Sequence, residues 1–314
     1  MHSNFATVKI RSAPEEGFAP PLFSIVMVTY ARDHLVPQTI AQAARAADGR
    51  PDVEFVLVDN NPDETDRSAF LEPFSRWQYV KLGYNKGVSA RNDGARAARG
   101  AYTIFVDDDA FLNPVGALDR YEAAFLANAK VAIVTARHID RTTGVTPRAS
   151  FPHTDKSLPQ DRPFKTFRFQ GNGFAMRRSA FEAIGPMSEE FFYGLEEIDY
   201  AYRVVDAGYE IYYEPGCWVV EHNDPAGRLP KKEVEEMRLT NKLIISFKYL
   251  PAIYLPINFV LFSAYVFYLN RGRINVFRSF GNFLKWARAH PEDRRPIGRP
   301  AMAYIENCGG AVWK

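Results

Sequence analysis

The sequence predicts an α/β fold whose first half is a doubly wound, nucleotide-binding unit on a largely parallel sheet, and three observations predict it. Runs at Phe23–Thr29 (FSIVMVT), Val53–Val58 (VEFVLV) and Tyr102–Val106 are dominated by apolar and β-branched residues. Such runs read as strands buried on both faces. Between them lie segments with helical spacing, the alternation that builds parallel sheets. Each run also ends on polar or acidic residues: Thr29 and Tyr30, Asp59 and Asn60, and Asp107 to Asp109. Ligands of doubly wound sheets sit beyond the carboxyl ends of the strands.

Taken in order, residues 1–21 are polar and Pro-containing, without the apolar stretch of a signal peptide, and are expected to form a lead-in arm. After the first strand, Leu35, Ile40, Ala43, Ala44 and Ala47 share a helical spacing that Gly49 and Pro51 terminate. Val53–Val58 is the second strand, Glu64–Phe74 a predicted helix and Tyr79–Leu82 a short strand. Gly87–Arg99 is an Ala-rich helix stopped by Gly100, and Tyr102–Val106 runs into the Asp triplet. Lys130–Thr135 is a further strand. Arg137–Arg168, rich in Pro, Thr and charge, has no clear period and reads as loop or irregular β structure. Gly171–Ile184 passes from a Gly-Asn-Gly turn into a helix, Phe191–Ala207 is a predicted helix closed by Gly208, and Tyr209–Tyr213 is a strand. From Lys231 onward the chain is mostly helical.

Composition narrows the function. The chain has 314 residues, 46% hydrophobic and 24% charged, enough to fold with a sizeable core. A net charge of +2 gives no global field for nucleic acid. Cys217 and Cys308 alone form neither a disulfide framework nor a cysteine zinc site, which suits a reducing compartment, the cytoplasm. Tyr249–Asn270 passes 22 residues without a formal charge. That length would permit a membrane span, but Pro251, Pro256 and Asn258 interrupt it and favour an interfacial or subunit-packing helix pair, with plain core as the further alternative. It is followed by eight basic residues (Arg271, Arg273, Arg278, Lys285, Arg288, Arg294, Arg295 and Arg299) against Glu292 and Asp293. This flank suits an anionic membrane surface or an anionic acceptor; a solvated helix face is the plain alternative.

Two acidic constellations carry chemistry. Asp107, Asp108 and Asp109 stand at the end of a buried strand, where adjacent carboxylates repel unless something positive is present. A hard divalent cation, Mn²⁺ or Mg²⁺, is the economical explanation, and its remaining positions suit a diphosphate. Glu196, Glu197 and Asp199 form the second cluster. On a helix Glu196 and Asp199 share a face, Glu197 points elsewhere, and Arg203 lies four residues after Asp199 as its pairing partner.

The ordered set FSIVMVTYAR, VEFVLVDNN, NKGVSARNDGARAARGAYTIFVDDD, GNGFAMRRSAFEAIG and FFYGLEEIDYAYR resembles the inverting family 2 glycosyltransferases with a GT-A fold, in particular their bacterial rhamnosyltransferase-like branch, over about residues 22–225. The resemblance implies a GT-A domain over 22–230, after the arm at 1–21, and a helical C-terminal region over 231–314 that is membrane-associated or dimerising. It places metal on Asp107 and Asp109, with Asp108 between them in the donor site, and a further metal ligand on His222. It assigns donor contacts to Thr29, Tyr30, Arg32, Asp59 and Asn60, and to Asn85, Gly87 and Asn92 of the N-x-G…N-x-G segment. Gly171, Asn172 and Gly173 would border the sugar and acceptor, or serve as a structural turn. The family's base lies in an E-D pair; here Glu197 replaces the Asp and is taken as the base, with Glu196 and Asp199 as acceptor-positioning or structural groups. Arg238, Asn241 and Lys242 would clamp the leaving diphosphate or form a solvated helix face. His34, His138 and His153 have no comparable partner and are assigned nothing.

The implied reaction is metal-dependent inverting transfer from a dTDP- or UDP-linked sugar, rhamnose among the candidates, to a hydroxyl of a saccharide or lipid-linked saccharide. Expected partners are therefore the nucleotide sugar, the acceptor, the inner face of the membrane and a second copy of the chain, with no nucleic acid. A nucleotidyltransferase would need a Gly-rich basic loop that FSIVMVTYARD lacks, and a non-catalytic scaffold would lack the carboxylates that are present here.

Overall fold

The structure, a computed structural model, describes residues 9–13, 19–113 and 115–310, so most of the arm expected at 1–21 lies outside the described residues. Its elements in chain order are β1 (Lys9–Ser12), β2 (Phe23–Thr29), α1 (Val36–Ala47), β3 (Val53–Asp59), β4 (Trp77–Lys81), α2 (Arg91–Ala97), β5 (Tyr102–Asp107) and β6 (Ala110–Leu112). There follow α3 (Ala117–Ala127), β7 (Val131–Asp140), β8 (Phe164–Thr166), β9 (Phe174–Arg177), α4 (Arg178–Ile184), α5 (Glu196–Asp206) and β10 (Glu210–Glu221). Four helices close the chain: α6 (Lys231–Tyr249), α7 (Tyr254–Leu269), α8 (Val276–Ala289) and α9 (Arg299–Asn307).

The strands form one mixed sheet in the order β1-β4-β3-β2-β5-β9-β7-β10-β6, with β8 on β10. β4, β3, β2 and β5 run parallel, as their doubly apolar sequences predict. The register sets Asp59 beside Thr29 and Asp107 beside Val28, so the acidic ends of three strands meet at one edge. α1 and α3 cover one face of the sheet around Ile40, Tyr121 and Phe125, and α2, α4 and α5 cover the other around Ala95, Ala180 and Tyr200. α2 lies close because residue 94 is glycine: a Cβ there would stand 2.3 Å from a Val26 methyl.

Several expectations are corrected. Lys9–Ser12 of the arm is an edge strand paired antiparallel with β4. Glu64–Phe74 is not a helix but a single 3-10 turn at Ser68–Leu71, because the Asp63 and Asp66 carboxylates accept the Thr65 and Ser68 N–H groups and Pro73 follows. Phe174–Arg177 is a strand, antiparallel between β5 and β7, before its helix begins at Arg178. Residues 191–195 are not helical, since Gly194 and Leu195 take φ of +86° and +68° and α5 starts at Glu196.

The tail is bound to this core. Leu243, Ile245, Leu250, Phe283 and Ile305 pack with Phe191, Tyr202 and Val205. The Tyr304 hydroxyl donates to Thr166 O (2.9 Å) and accepts from Ile211 N–H (3.0 Å). Among the described residues no helix is long and apolar enough to cross a membrane. The uncharged stretch is broken after Leu250, and α7 spans only 16 residues.

Candidate active site

Beyond the ends of β2, β3 and β5 lies a cleft of about 370 Å³, and beside it a larger cavity of about 920 Å³; Arg91, Asp107, Tyr193 and Glu221 line both. The narrower cleft gathers Tyr30, Arg32, Asn60, Asn85 and Gly87 with all three aspartates, as the sequence predicts. Asn60 and Asn85 are joined side chain to side chain at 2.9 Å, and Asn85 Oδ1 accepts the Gly87 N–H at 2.8 Å.

The three aspartates have different tasks. Asp108 is buried and shapes the loop after β2: it accepts the Tyr30 N–H (3.1 Å) and Arg32 Nη1 (2.6 Å), while Thr39 Oγ1 donates to its carbonyl. Burial pushes its carboxyl up to about 6 against the pull of Arg32. Asp107 is the more open, 39% exposed at its side chain, and accepts Arg91 Nη2 at 2.9 Å. Asp109 accepts the Asp224 N–H at 3.1 Å and lies 3.5 Å from Arg32 and 3.7 Å from Arg228. Burial raises its carboxyl; Arg32 opposes the shift, and the charges of Asp107 and Glu221 add to it.

Other predicted donor and metal residues do not reach the cleft. Thr29 is fully buried. So is Asp59, whose carboxylate accepts from Asn61, Arg67, Tyr79 and Lys81; burial alone would raise it, and these bonds hold it below the usual carboxylate range. Asn92 is tied to both backbone groups of Met187 at 2.9 Å. His222 is turned aside: its Nδ1 accepts from Arg141 at 2.8 Å and its ring packs on Phe111. Among the described residues, no three His, Cys, Asp or Glu side chains converge as a metal centre.

The wider cavity holds the second acidic cluster. α5 turns in after Leu195, presenting Glu196 and Glu197 to the cavity beside Gly171 and Asn172. Arg91 Nη1 donates to Glu196 Oε1 at 3.1 Å, and Glu196 Oε2 is buried without a hydrogen-bond partner. Glu197 is pushed up to about 8, first by burial and then by the Glu196 charge, with Arg91 opposing. Asp199, expected as an acceptor-positioning or structural group, is 0% exposed and points into the scaffold, where Lys248 (2.7 Å), Tyr249 (2.9 Å) and Ser188 (2.6 Å) donate to it. Its expected partner Arg203 lies 3.3 Å away.

On α6, Asn241 is buried and Lys242 half-buried, while the Arg238 side chain stands 44% exposed. Asn241 donates to Tyr193 O and Gly194 O, which fixes the loop before α5, while Arg238 and Lys242 line the wider cavity rather than the cleft of the aspartates. Sequence reasoning missed Arg91, whose neighbour Asn92 drew attention as part of the motif, and Glu221, at the end of β10. Glu221 lies 3.1 Å from His138 Nδ1 and accepts from Asn172 Nδ2 at 3.3 Å, so His138 has a partner after all. His34 likewise lies 3.0 Å from Asp224.

The mixed sheet, its flanking helices and a cleft at the end of β5 define the GT-A architecture. The model of the family described as Glycosyl transferase family 2 matches residues 24–185, and the chain belongs to that family. Two curated relatives are named validoxylamine A glucosyltransferase. The one from Streptomyces hygroscopicus subsp. limoneus is 34% identical over 111 residues, 34% of this chain and 24% of the relative. That from S. hygroscopicus subsp. jinggangensis is 35% identical over 99 residues, 30% and 23% of the respective lengths. The matches thus span about a quarter of the relatives. Among solved structures, GalNAc-T7 with UDP, GalNAc and Mn²⁺ aligns at TM-score 0.60 and 13% identity, over 93% of this chain and 57% of the other. The mannosyltransferase PcManGT from Pyrobaculum calidifontis, in complex with GDP-Man and Mn²⁺, aligns at 0.55 and 18%, over 93% and 81%. At these identities the likeness is one of fold.

Proposed function

We propose that the protein transfers a sugar, with inversion, from a nucleoside-diphosphate sugar to a hydroxyl of a saccharide or lipid-linked saccharide. The observation that carries this reading is the junction of the two cavities at Arg91 and Asp107, with Glu197 facing only the wider one. The cleft takes the donor and the cavity takes the acceptor. Glu197 removes the acceptor hydroxyl proton, so that oxygen attacks the anomeric carbon as the diphosphate departs on the opposite side. A base of pKa about 8 is strong enough for this and partly ionised at neutral pH. Arg91 holds Glu196 and Asp107 on either side of the junction.

Asp107 and Asp109 fit a divalent cation, Mn²⁺ or Mg²⁺. The Asp109 carboxyl is raised first by burial, which Arg32 opposes, and then by the neighbouring charges of Asp107 and Glu221, a carboxylate repulsion that a cation relieves. When bound, it neutralises charge on the diphosphate oxygens. Both solved neighbours carry Mn²⁺, which supports the assignment. A dTDP- or UDP-linked donor, with rhamnose among the candidates, remains the reading of the sequence resemblance, whereas the curated relatives are glucosyltransferases by name. Residues 22–230 act as the catalytic domain. Residues 231–314 complete the acceptor cavity and meet the inner face of the cytoplasmic membrane or a second copy.

The test is nucleoside diphosphate release across a panel of nucleotide sugars with Mn²⁺, Mg²⁺ or EDTA, beside Glu197→Gln and Asp109→Asn. Turnover with one donor, abolished by EDTA and by both substitutions, is expected. Absence of both turnover and donor-dependent thermal stabilisation across the panel overturns the reading.

A further inference from the structure

Two cations in the wall of the wider cavity have no anion to serve. Arg168, between β8 and β9, and Lys242, on α6, are both partly buried and both line that cavity. Among the described residues no carboxylate lies within ion-pair distance of either. Arg168 Nε is buried without a hydrogen-bond partner, and a ring lies beside each charge: Phe167 5.2 Å from the guanidinium carbon and Phe262 6.0 Å from Lys242 Nζ, while the Tyr202 phenol and a third cation, Lys156, also feel the Arg168 charge. Burial, and then the Arg168 charge, push the Lys242 ammonium down to about 8, so the two cations also repel each other. Two like charges held together in a partly buried wall destabilise the fold unless a ligand supplies the opposite charge.

The surroundings say what kind of ligand. Neither residue lines the cleft of the aspartates, so the diphosphate is not their partner. Glu196 and Glu197 line the same cavity as the two cations. Phe151, Phe167 and Phe169 supply one apolar wall, and Leu261, Phe262 and Tyr265 of α7 another. We propose that Arg168 and Lys242 form an anion subsite of the acceptor cavity, which takes a phosphate ester carried by the acceptor on an apolar body. The inference rests on reading the wider cavity as the acceptor's.

The test is equilibrium binding to the full chain of geranyl phosphate against geraniol, and of glucose 1-phosphate against glucose, with UDP, dTDP and GDP titrated separately. Geranyl phosphate is expected to bind roughly tenfold or more tightly than geraniol, the scale of a lost charge-assisted contact. Lys242→Met and Arg168→Gln should each erase most of that preference and, by removing one of two repelling charges, leave the melting temperature no lower than the wild type's; Lys242→Arg should keep the preference, and none of the three should change nucleotide affinity. Phosphate dependence with geranyl phosphate alone assigns a lipid-borne ester, and the same dependence with glucose 1-phosphate assigns a water-soluble one; both support the subsite. Equal binding of charged and neutral probes overturns it, as does a preference that survives both substitutions, or competitive displacement of geranyl phosphate by the bound nucleotide. If no nucleoside diphosphate binds while the phosphate preference stands, the transferase reading fails and the anion subsite remains.

Discussion

A methyl group built on Gly171 would lie 2.5 Å from Glu197 Oε1, so the absence of a side chain at residue 171 is what lets the Glu197 carboxylate occupy its place in the cavity. The obstacle is the far end of a flexible side chain, and the two Arg91 nitrogens beyond it stand at 3.2 and 3.3 Å. Gly171→Ala should therefore fold normally while turning the proposed base away from the cavity assigned to the acceptor. The expected result is a fall in kcat of about tenfold to a hundredfold, within the range of general-base catalysis, with the donor KM little changed. A wild-type kcat in a folded G171A would show that Glu197 is not the base.

The pH dependence has a definite sign. As the proposed base Glu197 acts ionised, and its carboxyl is raised from 4.5 to about 8, so kcat/KM for the free enzyme should climb through neutrality, pass half its maximum near pH 8 and level off about one unit above. The same shift acts on stability. Above 4.5 the unfolded chain has lost this proton while the folded chain keeps it, so stability falls as pH rises until the folded group ionises near 8. Glu197→Gln removes that penalty. Its melting temperature should exceed the wild type's at pH 8.5 and converge with it near pH 4, as thermal unfolding at the two pH values would reveal.

Asp199 separates from its neighbours by stability rather than rate. Its carboxylate accepts from Ser188, Lys248 and Tyr249 in a site with no exposure, joining α5 to α6. Asp199→Ala leaves the Lys248 ammonium without its closest acceptor, and breaking a buried pair costs about 3–5 kcal/mol. Denaturant unfolding should show that loss, whereas Glu197→Gln should show a loss of turnover in a stable protein.

The parts that were legible in the sequence are those whose signal is local. β2, β3 and β5 announce themselves by apolar runs, and the acids at their ends follow from the topology of parallel sheets. β9 escaped notice because four residues squeezed between a glycine turn and a helix carry no period of their own, and its partners β5 and β7 are distant in the chain. The division of labour among Glu196, Glu197 and Asp199 was equally out of reach. It depends on where α5 begins, which the left-handed Leu195 decides, and on Lys248 arriving from a helix some fifty residues later. Arg91 is the same case: what marks it is the pair of carboxylates it bridges, from β5 and α5, and neither is its neighbour in sequence.

The last prediction concerns the outer face of α7. Leu261, Phe262 and Tyr265 line the wider cavity, Leu261 and Tyr265 at its open rim, and Val260, Phe267 and Tyr268 stand exposed as well, Tyr268 at 80%; Phe277 of α8 adds a further ring at 85%. Arg271 and Arg273 lie exposed in the turn after α7, and Arg278 lies exposed in the first turn of α8. Aromatic side chains beside arginines match an anionic bilayer surface, where rings enter the interface and guanidinium groups meet the headgroups. We therefore expect the full chain to co-sediment with phosphatidylglycerol vesicles and much less with phosphatidylcholine vesicles, and to be released by salt. Tyr268→Ser with Phe277→Ser should weaken the association by roughly tenfold or more, the scale of withdrawing two large apolar side chains, without altering nucleotide binding. A chain that ignores both vesicle types but sediments as a dimer, and returns to monomer on the same two substitutions, would assign this face to a second copy instead.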